Sequence, residues 1–203
     1  MSNPFIEELA KKLKEDLPGA DAHLKMASPK RIEESLDIPD NARKAAVLIL
    51  LFPKGDSFAF PLIRRPQYNG VHSGQMAFPG GKHDLEDTDL VETALRECKE
   101  EVGVEVSRSQ VIGTLSNLYI PPSNMLVTPV VAFAKSKPEY TADPIEVVEI
   151  IETDIQTLKH PNTKSMQSID LGLMKIKAPA FMVDENVVWG ATAMMLSELL
   201  EII

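Results

Sequence analysis

Residues 78–104 read FPGGKHDLEDTDLVETALRECKEEVGV, and this stretch decides the fold. A Pro-Gly-Gly turn leads into a run that carries Arg96, Glu97, Glu100 and Glu101, followed at once by Val102-Gly103-Val104. At about 100° per residue, Glu97, Glu100 and Glu101 fall within roughly one third of a helix circumference. Val91, Ala94, Leu95, Cys98 and Val102 form a neighbouring apolar arc that can pack on a core. Like charges at this spacing cost a helix about 0.2–0.5 kcal/mol per pair, so a cation is expected among them. Hard oxygen donors on a rigid element suit Mg²⁺ or Mn²⁺. A charged helix face is ordinarily just solvated, but three features set this one apart. Gly80-Gly81 lies about one helix length upstream, where bare backbone can approach a ligand. Gly103 follows the helix as a C′ cap. The apolar arc holds the acids at the edge of a packed element.

This arrangement resembles the Nudix box, G-x5-E-x7-R-E-U-x-E-E-x-G-U with U aliphatic. The second half matches from Arg96 to Val104, with Cys98 in place of the first aliphatic residue. The first half departs from the pattern. Counted from Gly81, Arg96 comes one residue late, and Asp87 replaces the early glutamate, which leaves that acid's role open. A longer box introduced by F-P-G-G-K is similar to the coenzyme A pyrophosphatase branch of the superfamily. Leu62-Ile63-Arg64-Arg65 and Gly74-Gln75-Met76-Ala77-Phe78-Pro79-Gly80-Gly81 resemble that branch's upstream signature, and His72-Ser73-Gly74-Gln75 its H-x-G-Q. Val127-Thr128-Pro129-Val130-Val131 and Trp189-Gly190-Ala191-Thr192-Ala193 look like it as well. The resemblance implies an α/β/α sandwich with a mixed β-sheet.

It also implies a division of labour. Glu97, Glu100 and Glu101 would bind Mg²⁺ or Mn²⁺, with the Gly80 carbonyl as a backbone ligand. Arg96 would hold one of the glutamates, a task for a planar fork. Glu100 is the first candidate for general base, with Glu146 and Glu149 in reserve. Arg65, Arg64, His72 and Ser123 are the candidates for contacting substrate phosphate, Arg65 aligning better with the branch arginine. His23, His83 and His160 read as surface residues, and Trp189 as core. No G-x-x-x-x-G-K-[ST] loop is present.

The rest of the chain bounds this reading. Its 203 residues, 44% of them apolar, can form one substantial core, so residues 1–203 read as a single domain with an N-terminal extension over 1–43. Thirty acidic residues against 21 basic ones give a formal charge of −9, which argues against a nucleic-acid partner. An anionic substrate must then be drawn in by bound metal and local arginines. Cys98 is the only cysteine, which fits a reducing compartment and excludes an intrachain disulfide. The first 17 residues lack the apolar stretch of a secretory signal, and no run reaches the roughly 18 apolar residues of a membrane span. A cytoplasmic enzyme acting on a small molecule is expected, with a homodimer left open.

Along the chain, Pro4–Leu17 has the spacing of an amphipathic helix stopped by Pro18-Gly19, and residues 20–43 read as irregular. Residues 45–52 and 58–63 form a hairpin. Strands follow at 111–118, 126–134 and 146–151, then a helical turn at 154–158, short strands within 165–188, and an amphipathic helix over 190–203. The implied activity is metal-dependent hydrolysis of coenzyme A or its acyl derivatives to 3′,5′-ADP and phosphopantetheine. The alternatives are a Nudix pyrophosphatase of a dinucleotide, nucleotide sugar or nucleoside triphosphate, and a non-catalytic nucleotide sensor. A sensor has no need of all four box residues. An isoprenoid diphosphate isomerase would need a cleft cysteine, whereas Cys98 belongs to the apolar arc.

Overall fold

The computed structural model describes residues 3–33, 37–172 and 174–203. Its centre is strand β1 (Arg43–Lys54), whose alternate residues face opposite ways. Ala46, Leu48 and Leu50 enter one core with Val130, Ala132, Ala94, Cys98 and Val102. Ala45, Ile49 and Leu51 enter the other with Val127, Val131, Leu196 and Leu199. A strand buried on both faces reads as a continuous aliphatic run, as residues 45–52 do.

Strand β1 turns at Gly55 into β2 (Ser57–Arg64), and the pair is antiparallel. Strands β3 (Met76–Ala77) and β4 (Gly80–Lys82) follow the loop, then helix α4 (Leu90–Val102). Three short helices precede the sheet: α1 (Pro4–Lys12), α2 (Gly19–Leu24) and α3 (Pro29–Glu33). Next come β5 (Val111–Thr114), β6 (Leu118–Ile120), β7 (Met125–Phe133), β8 (Glu149–Asp154) and α5 (Ile155–Lys159). A hairpin-linked trio β9 (Lys164–Asp170), β10 (Lys175–Val183) and β11 (Asn186–Trp189) leads into α6 (Gly190–Ile202). The main sheet runs β3-β2-β1-β7-β5, with β4 on β1, β6 on β7 and β8 on β2. Among the described residues only β1 and β7 pair in parallel, so the sheet is mixed, while β9–β11 form an antiparallel sheet of their own. Helix α4 covers one face of β1 and α6 lies in the core of the other, giving the expected α/β/α sandwich. No helix among the described residues is long and apolar enough to cross a membrane.

Several boundaries differ from expectation. Helix α1, capped by Asn3, ends at Lys12, and Pro18 stands at the start of α2, where a missing N–H is no loss. Residues 20–43 include two short helices, residues 34–36 lying outside the described ones. The strand expected over 111–118 is two strands, with a register shift between Val111 and Gly113. Strand β8 begins at Glu149, which leaves Glu146 in the preceding turn, its N–H donating to Asp143 Oδ1. Helix α6 is buried nearly all round instead of amphipathic, down to Glu198, which is fully buried. Glu198 accepts hydrogen bonds from His23 Nε2 (3.0 Å), the Gly19 N–H (3.0 Å) and the Ser116 N–H (3.2 Å). His23 is therefore a buried partner tying α2 to α6, not a surface residue. Phe5 stacks on Phe58 at 4.5 Å between ring centroids and fastens α1 to β2.

Candidate active site

Two glycines set the approach of α4 to the sheet. Gly80 and Gly81 on β4 pair with Val47 and Ala46 of β1. A Cβ added at Gly80 would lie 2.4 Å from the Ala46 carbonyl oxygen. One added at Gly81 would lie 2.5 Å from the carboxylate atoms of Glu97. Glycine thus lets an acidic side chain rest directly on backbone. Helix α4 starts at Asp89, whose side chain accepts from the Glu92 N–H at 3.0 Å, and ends at Gly103 in the left-handed conformation (φ 72°). Ala94, Cys98 and Val102 are fully buried against β1. The stripe beside them carries Glu97 and Glu101.

The acids have distinct surroundings. Glu101 is 1% exposed and accepts a 2.7 Å hydrogen bond from the Gly80 N–H. Burial pushes its pKa up to about 8, helped by the Glu97 and Glu146 charges and opposed by that N–H and by Arg65, whose Nη1 is 3.9 Å away. Burial also raises the Glu97 pKa, against the pull of Arg96. Arg96 places its fork on Asp87 (Nε–Oδ1 2.9 Å, Nη2–Oδ2 3.0 Å) and aims Nη1 at Glu97 (3.0 Å) and Glu100 (2.8 Å). Its hydrogen bonds hold Asp87 well below the usual carboxylate range. Asp87, the acid standing where the box has its early glutamate, is therefore the seat of Arg96. The Glu100 side chain is 56% exposed, turned to Arg96, and absent from the cavity wall.

That cavity, about 340 Å³, opens between β4, α4 and the loop after β2. Glu97, Glu101, Glu146, Arg65 and Lys82 line it with ionisable groups beside the His72 ring, and Phe78, Ile120, Met125, Val127 and Met195 give it an apolar wall. The Arg65 Nε is buried without a hydrogen-bond partner, a donor that an anionic ligand would satisfy. His72 has a positive φ of 69°, unusual for a side chain with a Cβ, and contacts Gln75 Oε1 through Nδ1 at 3.2 Å. Burial lowers its pKa, Gln75 raises it and the Arg65 charge lowers it further.

Among the described residues no three acidic, His or Cys side chains stand together as a ready-made cation cage. The donor chemistry nonetheless suits a divalent cation: all-oxygen, doubly acidic, buried, and opened to the backbone by Gly81.

Two expected contacts lie elsewhere. Arg64 donates to Glu149 Oε2 at 2.8 Å and to Asn186 Oδ1, and it lines a second cavity. Arg64, the last residue of β2, and Arg65 after it line different cavities. Ser123 is buried in a one-turn 3₁₀ helix, its hydroxyl near the Ile120 carbonyl at 3.4 Å, and is not part of the cavity wall. Trp189, expected in the core, is half-buried and lines the second cavity. Sequence reasoning missed the apolar wall. Its signal was the alternation Met125, Val127 on β7, meaningful only once the order of strands is known.

The NUDIX domain family model matches residues 42–165. The protein named "uncharacterized Nudix hydrolase NudL" from Photorhabdus laumondii is 30% identical over 84% of this chain and 87% of its own length. The protein of the same name from Yersinia enterocolitica is 31% identical over 78% and 80%. The crystal structure of a MutT/nudix family protein from Enterococcus faecalis shares the fold, with a TM-score of 0.59 at 14% identity, covering all of this chain and 75% of that one. The family match spans the sheet, the glycine pair and the acidic helix described above, and the chain belongs to the Nudix family of hydrolases.

Proposed function

We propose that this protein is a metal-dependent pyrophosphatase that cleaves coenzyme A or acyl-coenzyme A to 3′,5′-ADP and phosphopantetheine or its acyl form. The observation that carries the proposal is the pairing, in one cavity, of buried carboxylates and the unpaired Arg65 Nε with an apolar wall. A diphosphate flanked by an apolar arm matches that division. Gln75, Met76, Ala77 and Phe78 of the upstream signature supply part of both surfaces.

In this reading Glu97 and Glu101, with the Gly80 carbonyl, would hold Mg²⁺ or Mn²⁺, which would supply charge neutralisation at phosphate and a more acidic water. Arg96 positions Glu97 and keeps Glu100 aside, acting through carboxylates instead of touching substrate. Arg65 donates to the diphosphate. Glu146, on the cavity wall, takes over the role of general base first given to Glu100. It accepts a proton as water oxygen bonds to phosphorus and the bridging P–O bond breaks, the electron pair leaving with the departing phosphate. The apolar wall receives the pantetheine arm or its acyl chain. The core that joins Ile6 to Ile202 supports one catalytic domain over the whole chain. A cytoplasmic site of action is in keeping with the single, buried Cys98.

The test is product identity. Coenzyme A incubated with the protein and Mn²⁺ should yield 3′,5′-ADP and phosphopantetheine in equal amounts. Release of inorganic phosphate or adenine instead would remove the proposal.

A further inference from the structure

The second cavity, also about 340 Å³, lies between the loop after β2 and the edge of the β9–β11 sheet. Gln75 and Met76 line both cavities, which makes the two neighbours. We propose that this second cavity seats the nucleoside base of the substrate against Trp189, while the diphosphate lies at Glu97, Glu101 and Arg65. The inference rests on the reading of the substrate as a nucleotide derivative.

Three properties of the cavity point to a neutral, hydrogen-bonding ring. Trp189 is half-buried on its wall and offers an indole beside Met76 and Val187, the kind of surface on which a base stacks. The charge is wrong for a phosphate. Arg64, the one cation on the wall among the described residues, is committed to Glu149 and Asn186, whereas Asp170 and Glu185 add carboxylates. Lys175, which is not on the wall, has its Nζ 3.7 Å from Asp170 and pairs with that carboxylate. Those acids can accept from an exocyclic amino group. Finally, a guanidinium only donates, so Asn186 must turn its oxygen to Arg64, leaving its amide nitrogen as the donor it can offer a ring nitrogen. The volume is at the lower end of the roughly 300–1,000 Å³ of ligand pockets, enough for part of a substrate. The polar cavity thus takes the base, and the apolar wall of its neighbour takes the other arm.

Trp189 is the only tryptophan in the chain, so its emission reports on this cavity alone. With metal chelated and hydrolysis prevented, AMP should change the emission saturably, while ribose 5-phosphate and pantetheine leave it unaltered over the same range. In steady-state assays, Trp189→Leu should raise KM for coenzyme A about tenfold or more with kcat nearly preserved, and Trp189→Phe should stay within a few-fold of wild type. Emission that follows pantetheine but not AMP would overturn the assignment, as would equal KM losses in the Leu and Phe variants of normal stability. If coenzyme A proves not to be cleaved, the AMP titration still decides this point, because it needs neither metal nor turnover.

Discussion

Replacing Glu101 by Gln should make the metal-free protein more stable and nearly inactive at once. In wild type the carboxyl is 1% exposed and its pKa stands at about 8 instead of 4.5. A raised pKa in a carboxylic acid means that folding favours the protonated form. The stability is therefore complete below about pH 4.5 and is lost as pH rises through 8. At about 1.36 kcal/mol per unit, the gap caps the loss near 5 kcal/mol. Local relaxation will shrink it, and we expect about 2 kcal/mol, or about 4–8 °C in Tm for a chain of this size. Glutamine keeps an oxygen for the Gly80 N–H and has no charge to bury. In chelator at pH 9 the variant should melt above wild type by that margin, and at pH 4.5 the two should coincide. With Mn²⁺ present, kcat should fall at least about a hundredfold, a few kcal/mol of lost transition-state stabilisation. Added cation should raise the melting temperature of wild type but not of the variant. A variant with a lower Tm at pH 9 and near-normal turnover would refute the reasoning.

Three further perturbations follow from the same geometry. Arg96→Lys keeps the charge but loses the fork on Asp87 and the reach to Glu97 and Glu100, so stability should drop by about 1–3 kcal/mol and half-maximal activity should need more Mn²⁺; unchanged metal titration would contradict it. Gly81→Ala introduces a Cβ 2.5 Å from the Glu97 carboxylate without requiring an unusual φ, so kcat should fall at least about tenfold while circular dichroism stays native. Glu198→Ala strands the His23 ring and two backbone N–H groups far from the site, and urea unfolding should show a loss of about 3–5 kcal/mol with activity of the folded protein retained. Burial pushes the Glu198 pKa up, but the bonds from His23, Ser116 and Gly19 bring it below its ordinary value. Its stabilisation, present above about pH 4.5, should therefore fade as pH falls further.

What the sequence disclosed was periodic or local. The hairpin of β1 and β2 and the left-handed Gly103 after α4 depend on neighbours within a few residues, and they formed where expected. Helix α6 was found but expected to be amphipathic, whereas hydrogen bonds from residues 175 and 179 positions earlier allow even Glu198 to be buried. The candidate site was legible as a set of residues and not as an arrangement. Glu97 and Glu101, four apart, share a stripe, whereas Glu100 is rotated about 100° from Glu101, and only the position of Arg96 on Asp87 shows which way it turns. Arg64 and Arg65 are adjacent in the chain, and only the structure shows that Arg64 is held by Glu149 and Asn186 while Arg65 turns to Glu101. The apolar wall joins residues from β4's approach, β6, β7 and α6, a meeting that no single window of sequence contains.

A side-by-side comparison of kcat/KM at fixed Mn²⁺ bears most on the central reading. Coenzyme A, acetyl-coenzyme A, a diadenosine polyphosphate, ADP-ribose, a nucleotide sugar and a nucleoside triphosphate would be tested under one set of conditions. Coenzyme A or its acetyl form should exceed every other substrate by at least about tenfold, and activity should vanish with chelator. Preference for any of the other four would contradict the coenzyme A assignment, and metal-independent cleavage would contradict the role given to Glu97 and Glu101.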